Sequence, residues 1–267
     1  MKPMVIGSGW KMNATVHDAV NLVRQLKEKL SGFSTFPVFV LPPFTALDAV
    51  SRELKGSNIR YGAQNMSWET GGAFTGEISA PMLVELGCRY VELNHQERRA
   101  LFNETDRSAN MKLHTAFRFG LQPVLCIGEE ERGDEAGSAL FLKQQLVELL
   151  RGIGEEDAVN ILFAYEPRWA IGQAEAADAG YVERMHRVIR GIIGELYGSD
   201  AASRALVLYG GSVNLQNYQS IAVQPDVNGL FIGRCGLDAD VYSEIILAVA
   251  DLICGDSDDA QQKERMG

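Results

Sequence analysis

NILFAYEPRWAIG, residues 160–172, is an apolar run that ends in a single carboxylate. Residues Asn160–Tyr165 have the pattern of a strand buried in a parallel sheet. Pro167 fixes the direction in which the chain leaves this strand, and Trp169–Gly172 begins an apolar loop closed by a glycine. We predict that Glu166 is a base on a rigid strand, beside a loop that acts as a mobile lid. The alternative is a carboxylate that only caps the strand and faces water.

Short β-rich runs of this kind alternate with segments of helical period along the whole chain. Strands that alternate with helices form parallel sheets through right-handed crossovers. Eight such units in 267 residues favour an α/β fold, a single (β/α)₈ TIM barrel, over an open doubly wound sheet. The open sheet would need a glycine fingerprint after its first strand, and GSGWKM at residues 7–12 lacks the third glycine. The predicted strands are Met4–Ser8, Phe36–Leu41, Ile59–Ala63, Tyr90–Leu93, Gln122–Cys126, Asn160–Tyr165, Ala205–Tyr209 and Gly229–Ile232, and the clearest predicted helices are Val16–Leu30, Ala139–Leu150 and Val182–Leu196.

The composition excludes some classes of function. Of the 267 residues, 46% are hydrophobic and 22% are charged, so the chain can bury a large core. The formal net charge of −10 disfavours nucleic acids and anionic membranes as partners, because binding to them requires clustered Lys and Arg. A small-molecule substrate is expected, and an anionic one would have to be held by local donors such as loop amides.

The chain shows no internal linker, and we predict one barrel domain over residues 1–254. Residues 255–267 are mostly polar and are predicted to form a disordered tail. The N-terminus enters a strand without the apolar region of a signal peptide, which predicts a cytoplasmic location. No metal site or disulfide framework is predicted, because the cysteines are far apart and are most simply buried thiols: Cys88, Cys126, Cys235 and Cys254.

Polar residues follow the predicted strands where a barrel would gather them into one site. Lys11 follows the first strand, His95 and Glu97 follow the fourth, Cys126 and Glu129 end the fifth, and Glu166 follows the sixth. Strands seven and eight are followed instead by Gly210-Gly211-Ser212 and by Gly233-Arg234-Cys235-Gly236. Flexible backbone before a helix lets main-chain N–H groups approach an anion, so a phosphate site is predicted here.

The segment around His95 has the pattern of a helix start. Asn94 with Glu97 three residues later resembles an N-cap and its capping-box partner, so a short helix is predicted to begin at His95. The helix dipole would then oppose protonation of the imidazole. A neutral imidazole near a carbonyl, with Glu166 removing a proton from the adjacent carbon, describes an enediol isomerisation.

A series of collinear motifs resembles the triosephosphate isomerase family over essentially the whole chain apart from the tail. The motifs are WKMN at 10–13, GAQN at 62–65, FTGEIS at 74–79, His95 with ERR at 97–99, CIGE at 126–129, AYEP at 164–167 with WAIG at 169–172, and YGGSV at 209–213. The resemblance implies an aldose–ketose isomerase of a small phosphorylated sugar, without a cofactor or a metal.

The resemblance also implies a role for each matching residue. Glu166 would carry the proton between neighbouring carbons, and His95 would polarise the carbonyl. Lys11 would stabilise the negative charge of the substrate and the enediolate, and Glu97 would support Lys11 and His95. The phosphate would be held at Gly172, Gly211, Ser212, Gly233 and Arg234. The family is usually a homodimer, and Thr75, Glu77 and Arg98 match its interface.

The departures from the family pattern cluster at the predicted site. Gly9 stands where the family has a substrate-contacting Asn, which suggests added space for a longer substrate. Asn94 and Gln96 replace the Gly and Ser beside His95, so Gln96 would have to hold the resting base. The lid carries Arg168 and Gln173-Ala174-Glu175 in place of an apolar residue and a Gly-Lys hinge, and Arg234 replaces the second glycine after strand eight.

These departures keep several alternatives open. The missing Asn, the Gly-Arg pair and the motif Asn65-Met66-Ser67-Trp68 resemble a tetrulose-phosphate isomerase branch, so an isomerase of L-erythrulose 1-phosphate or D-erythrulose 4-phosphate is the main alternative. A catalytically silent sugar-phosphate-binding barrel with a regulatory role is a second. A pentulose-phosphate epimerase is disfavoured, because no paired His and Asp metal ligands follow the strands.

Overall fold

Eight parallel strands form a closed barrel in sequence order, with the eighth strand paired back to the first. The structure is a computed structural model that describes residues 2–171 and 177–265, with side chains to Cys254. The single (β/α)₈ TIM barrel expected from the sequence is confirmed, and the open doubly wound sheet is ruled out by the β8–β1 pairing. The strands are β1 (Val5–Gly9), β2 (Val38–Leu41), β3 (Ile59–Ala63), β4 (Tyr90–Leu93), β5 (Gln122–Ile127), β6 (Leu162–Tyr165), β7 (Leu206–Tyr209) and β8 (Gly229–Ile232).

Helices surround the barrel and cover the outward-facing strand residues. Their amphipathic faces pack apolar side chains on the sheet, as in α1, where Ala19, Leu22, Val23 and Leu26 are buried. The helices are α1 (Val16–Lys29), α2 (Phe44–Glu53), α3 (Ala80–Glu85), α4 (Gln96–Phe102), α5 (Asp106–Arg118), α6 (Glu135–Leu149), α7 (Glu155–Ala158), α8 (Ala179–Tyr197), α9 (Ser199–Arg204), α10 (Tyr218–Ala222) and α11 (Ala239–Arg265), with 3₁₀ turns at Arg168–Ala170 and Arg234–Leu237.

The barrel interior is filled by inward-facing side chains, so the barrel is a packed core and not a pore. Alternate strand residues share a face, and the inward layer is mostly apolar. Gly7 belongs to this layer, because a Cβ there would lie 2.1 Å from the ring of Phe39. The inner cluster comprises Val5, Phe39, Leu41, Tyr90, Val124, Cys126, Leu162, Ala164, Leu208 and Phe231. The interior is therefore closed below the site that the strand ends build.

The predicted strands agree with the observed ones to within two residues. The largest differences are at the starts of β2 and β6, predicted at Phe36 and Asn160 and observed at Val38 and Leu162. The last helix extends to Arg265, past the predicted domain end at residue 254. The disorder predicted for residues 255–267 stays a prediction.

The cysteines were predicted to be buried thiols, which is correct for Cys88 and Cys126 and wrong for Cys254, which is exposed. Cys235 is partly exposed, and all four are free thiols. Among the described residues, no helix is both long and apolar enough to cross a membrane.

Candidate active site

One cavity of about 600 Å³ opens at the carboxyl ends of the strands and collects most of the predicted site residues. It is the position at which barrels of this type gather the loops that follow their strands. The lining residues include Gly9, Lys11, Glu92, His95, Glu166, Gly210, Gly211, Ser212, Phe231, Gly233 and Arg234. Gly172 was predicted to bind phosphate and lies outside the described residues.

Glu166 follows β6 and is 4% exposed. Its main-chain N–H donates to Ile127 O at 2.7 Å, and this bond fixes the main chain of Glu166 to β5. Gly210 makes room for the side chain, because a Cβ at Gly210 would lie 2.6 Å from Glu166 Cγ. The Glu166 Oε2 atom is buried and has no hydrogen-bond partner among the described residues. The chain therefore holds an uncompensated carboxylate oxygen in the cavity, which suits a base.

His95 itself is the N-cap of α4, so the predicted Asn94–Glu97 capping box is wrong. The Nδ1 atom of His95 accepts from the Glu97 main-chain N–H at 3.2 Å. Asn94 instead has a left-handed backbone with φ of 63°, a conformation that Asn tolerates better than most residues. This explains why Asn can stand beside His95 where the family has Gly. The Asn94 side chain donates to Asp106 Oδ1 and to Cys126 O, each at 3.1 Å.

The cap fixes the tautomer of His95. An Nδ1 atom that accepts a hydrogen bond carries no proton, so the ring is neutral with its proton on Nε2. That nitrogen lies 3.5 Å from Glu166 Oε2. The Nδ1 atom also lies 3.7 Å from Glu97 Oε2, which is too long for a hydrogen bond, so the main-chain bond decides the assignment. His95 therefore presents an N–H donor into the cavity beside the carboxylate.

Lys11 is held in the site by a strained backbone and a carboxylate. Its φ is 53°, a left-handed value that is uncommon for Lys. Gln64 Nε2 donates to Lys11 O at 2.9 Å and fixes this turn. The Lys11 ammonium donates to Glu97 Oε1 at 2.7 Å. Burial lowers the pKa of Lys11, but Glu97 and the charges of Glu166 and Glu92 outweigh it and raise the pKa above its usual value. Lys11 is thus a permanent cation at neutral pH.

Glu92 was not among the predicted site residues; it lies within β4 on the inward face and is 5% exposed. The pKa of Glu92 is raised to about 7: burial is the largest cause and the charge of Glu166 acts in the same direction, while His95, Lys11 and Cys126 act in the opposite direction. The signal that could have found it is a lone acid inside an apolar strand, since a charge buried there is costly. Ligand atoms of Glu92, His95 and Glu166 lie within 4.8 Å of one another, but the proton on His95 Nε2 and the hydrogen bond accepted by its Nδ1 leave this ring no free lone pair for a metal ion.

The space predicted beside Gly9 is filled. A Cβ at Gly9 would lie 2.9 Å from Phe231 Cζ and 3.6 Å from Glu92 Oε1. The volume that an Asn side chain would take therefore belongs to an aromatic ring from β8 and a carboxyl group from β4. The interpretation that the missing side chain at Gly9 leaves empty space for a fourth carbon is therefore wrong.

Replacing Gly9 by Asn should destabilise the protein and give no gain in triose activity. Overpacking of a filled site costs typically about 1–3 kcal/mol of unfolding free energy. Thermal unfolding measures the stability and kcat/KM measures the triose activity. The double variant Gly9→Asn/Phe231→Leu should recover part of the stability, because it removes the ring that the new side chain would strike. A single variant as stable as the parent and faster on the triose would contradict this.

Four of the predicted phosphate residues line the cavity, on the loops that follow the neighbouring strands β7 and β8. Gly211, Ser212, Gly233 and Arg234 all line it, and Arg234 is exposed at its rim. Within residues 2–171 and 177–265, the main-chain N–H groups of Ser212 and Gly233 donate no hydrogen bond. The Ser212 hydroxyl donates to Ala170 O at 3.0 Å and ties this loop to the start of the lid.

The start of the lid is anchored by two carboxylates that follow β5. Glu129 Oε1 accepts from Trp169 Nε1 at 2.9 Å, and Arg168 Nη1 donates to Glu130 Oε2 at 2.5 Å. Arg168, which replaces an apolar residue of the family, is thus used in an ion pair.

Gln96 was expected to hold the resting base. Among the described residues it makes no hydrogen bond to Glu166, and the charged-group contact of Glu166 Oε2 is with His95 Nε2 at 3.5 Å. The altered hinge, residues 173–175, lies outside the described residues.

The predicted interface residues lie on neighbouring surface segments. Thr75 and Glu77 are exposed on the loop after β3, and Arg98 on α4 is half-buried. Glu104 binds both segments, because its Oε1 accepts from Arg98 Nε at 2.6 Å and from Asn65 Nδ2 at 3.3 Å.

Comparisons with known proteins agree with this geometry. A sequence model of the family described as Triosephosphate isomerase matches residues 3–249. A protein named triosephosphate isomerase from Acetivibrio thermocellus is 42% identical over 247 residues, which cover 92% of this chain and 98% of the relative. Others of the same name come from Chloroflexus aurantiacus, with 41% identity over 92% of this chain and 99% of the relative, and from Symbiobacterium thermophilum, with 39% identity over 94% and 98%.

Proposed function

This chain belongs to the triosephosphate isomerase family, and on that premise we propose that it interconverts D-glyceraldehyde 3-phosphate and dihydroxyacetone phosphate through an enediolate, with Glu166 as the base. The observation that supports this assignment most is the pair of reacting groups in one cavity. The carboxylate of Glu166 and the neutral imidazole of His95 lie 3.5 Å apart, and the predicted phosphate loops line the same cavity.

The geometry suits proton transfer between adjacent carbons. Glu166 removes the proton from the hydroxyl-bearing carbon next to the carbonyl, and the carbonyl oxygen becomes the enediolate oxygen. The hydroxyl proton passes to that oxygen, Glu166 returns the carbon-bound proton to the former carbonyl carbon, and the former hydroxyl oxygen becomes the new carbonyl. His95 Nε2–H donates to the oxygen on which charge develops, and the Lys11 cation stabilises that charge. Glu97 positions both groups, because it binds the Lys11 ammonium and its N–H fixes the His95 tautomer.

The phosphate is proposed to bind at the glycine-rich loops. The main-chain N–H groups of Ser212 and Gly233, which donate no hydrogen bond to any residue that the structure describes, can hold an anion against the overall net charge of −10, with the Arg234 cation at the rim. Closure of the lid over residues 167–177 would exclude water from the enediolate.

A four-carbon ketose phosphate is the second candidate substrate, supported by the rebuilt lining at Gly9, Glu92 and Arg234. The test is kcat/KM measured in parallel with D-glyceraldehyde 3-phosphate and L-erythrulose 1-phosphate. Preference for the triose supports the proposal, and preference for the tetrulose transfers the same chemistry to the longer sugar. Binding of a phosphate analogue without turnover of either sugar would instead indicate the silent binding protein.

We further propose that the chain forms a homodimer in the cytoplasm, through the loop of Thr75 and Glu77 and the surface of Arg98. Large apolar side chains are exposed on these segments, including Phe74 at 43% and Phe102 at 62%. Such surfaces commonly mark interfaces.

Thr75→Arg should therefore dissociate the dimer, because a buried unpaired charge at an interface costs several kcal/mol. Sedimentation velocity checks this, with Thr35→Arg, a substitution on the opposite end of the barrel, as the control. A parent protein that sediments as a monomer would contradict the dimer, and a variant that stays dimeric would place the interface elsewhere.

A further inference from the structure

Glu92 is a buried acid at the floor of the cavity that the proposed reaction does not use. It lies on β4, two residues after the inward-facing Tyr90, so its side chain enters the barrel at the level of the site. The Oε1 atom accepts from Cys126 Sγ at 3.7 Å. Among the described residues, the Oε2 atom makes no protein hydrogen bond. A polar group in this position, nine-tenths buried and lining the cavity, indicates a ligand contact.

Glu92 on β4 offers a polar group beside residue 9 on β1, where a polar side chain is missing. Residue 9, from which the family contributes an amide to the substrate, is Gly here and carries no side chain. The carboxyl oxygen of Glu92 lies 3.6 Å from the position that a Cβ at residue 9 would take. Glu92 thus reaches from β4 into the place that residue 9 on β1 leaves, while Phe231 from β8 closes the remaining volume.

We propose that Glu92 is a substrate-contacting residue that stays protonated and donates a hydrogen bond from its carboxylic acid to an oxygen of the bound sugar. A protonated carboxyl group is neutral and both donates and accepts, as an amide does. An ionised one beside Glu166 would add a like charge next to the developing enediolate. The proposal rests on the proposed function, because it assumes a sugar phosphate in this cavity.

The surroundings of Glu92 keep the neutral form populated. Lys11 after β1, His95 at the start of α4, Cys126 on β5 and Glu166 after β6 are the titratable groups that face it, and Phe231 on β8 is apolar. Burial is the largest influence, and it raises the pKa of Glu92 to about 7. The Cys126 thiol stays protonated, because burial raises its pKa well above the usual value. A bound phosphate adds negative charge and favours the protonated carboxyl further.

The test compares Glu92→Gln, which keeps a neutral donor of the same shape, with Glu92→Leu, which removes it at similar volume. Kinetics are measured with both sugars in EDTA, so that adventitious divalent cations cannot imitate an effect. Glu92→Gln should keep kcat/KM at pH 6.5 within about threefold, because the donor is retained. Glu92→Leu should lose about 10- to 100-fold, because the sugar oxygen is left buried without its hydrogen-bond partner. A Leu variant as active as the parent overturns the proposal.

Stability separates a functional role from a structural one. Glu92→Leu should melt at a higher temperature than the parent, since it removes a buried acid. The sign with pH is also fixed. The folded chain keeps the Glu92 proton up to about pH 7 and the unfolded chain releases it near the ordinary glutamate value of 4.5, so the parent loses stability as pH rises between these values. Glu92→Gln should lack this part of the loss. A Leu variant that melts at a lower temperature would make Glu92 a structural residue.

NMR spectroscopy can follow the protonation of the Glu92 carboxyl group without depending on turnover. The ¹³C resonance of the Glu92 carboxyl, identified by its absence in Glu92→Gln, should titrate near pH 7 and shift when dihydroxyacetone phosphate is added. Titration near the ordinary carboxyl value, or no shift on addition of the sugar phosphate, overturns the proposal. If neither sugar is converted while the resonance still shifts, the proposed function fails and the contact stands.

Discussion

Replacing Glu166 by Gln should lower kcat by ~10²–10⁴-fold, the usual contribution of a positioned general base. The amide has nearly the same shape as the carboxylate but cannot accept the carbon-bound proton. Because Glu166 Oε2 has no hydrogen-bond partner among the described residues, the variant loses no hydrogen bond at that atom. Its melting temperature should equal that of the parent or exceed it, since the buried charge is removed.

The control is Glu183→Gln, at a second buried glutamate outside the cavity. Glu183 on α8 is 7% exposed, binds Arg187 Nη2 at 2.7 Å and accepts from Asp226 N at 2.9 Å. Its replacement should lower stability and leave kcat unchanged, the reverse of the result at Glu166. Binding of a phosphate analogue should persist in Glu166→Gln. If turnover also persists, another group is the base.

The substitution Gly210→Ala should reduce kcat by ~10²-fold, through misplacement of the base by a single methyl group. A Cβ at Gly210 would lie 2.6 Å from Glu166 Cγ and 3.0 Å from its Oε1, so the side chain has to move. The Gly210 N–H also donates to Tyr165 O at 2.8 Å, and this bond limits how far the loop can retreat. Single-turnover kinetics should show that the chemical step, and not product release, is slowed.

Two comparisons make this prediction specific. Gly191→Ala on α8, where a Cβ would meet nothing within 4 Å, should leave kcat unchanged and raise stability through helix propensity. Glu166→Asp shortens the side chain that the new methyl group would strike. The cost of Glu166→Asp should therefore be smaller in the Gly210→Ala background than in the parent, a coupling that a double-mutant cycle measures. Additive effects would show that Gly210 acts through something other than Glu166.

The elements with a strong local pattern could be predicted well from the sequence. Strands such as β4 and β8 agree to the residue, because short apolar runs between turn residues are recognisable without knowledge of their neighbours. Lys11, His95 and Glu166 were predicted in one site for the same reason, since each follows a recognisable strand and parallel strands end at one face. The order of strands and helices alone supports a closed barrel.

The predictions that failed required distances between segments far apart in the chain. Asn94 was expected to cap α4, but its backbone is left-handed and His95 is the N-cap instead. The Asn94 side chain binds Asp106 and Cys126, which are distant in the sequence, so local sequence patterns could not decide between the two caps. Gly9 was interpreted as empty space, but the ring that fills this space comes from β8. Glu92 was not recognised as a site residue, because inside an apolar strand only the barrel shows which face it occupies.

The sequence by itself determined the barrel, its strands and the position of the carboxylate that we propose as the base, because hydrophobic period and strand-end position are local properties of the chain. The tertiary structure decided the chemistry around that base. Only there does the cap on His95 fix a neutral tautomer, does Gly210 admit Glu166, and does burial hold the pKa of Glu92 at about 7. The physical reason is that a tautomer, a close contact and a desolvated acid each depend on atoms from several strands, which approach one another only when the barrel closes.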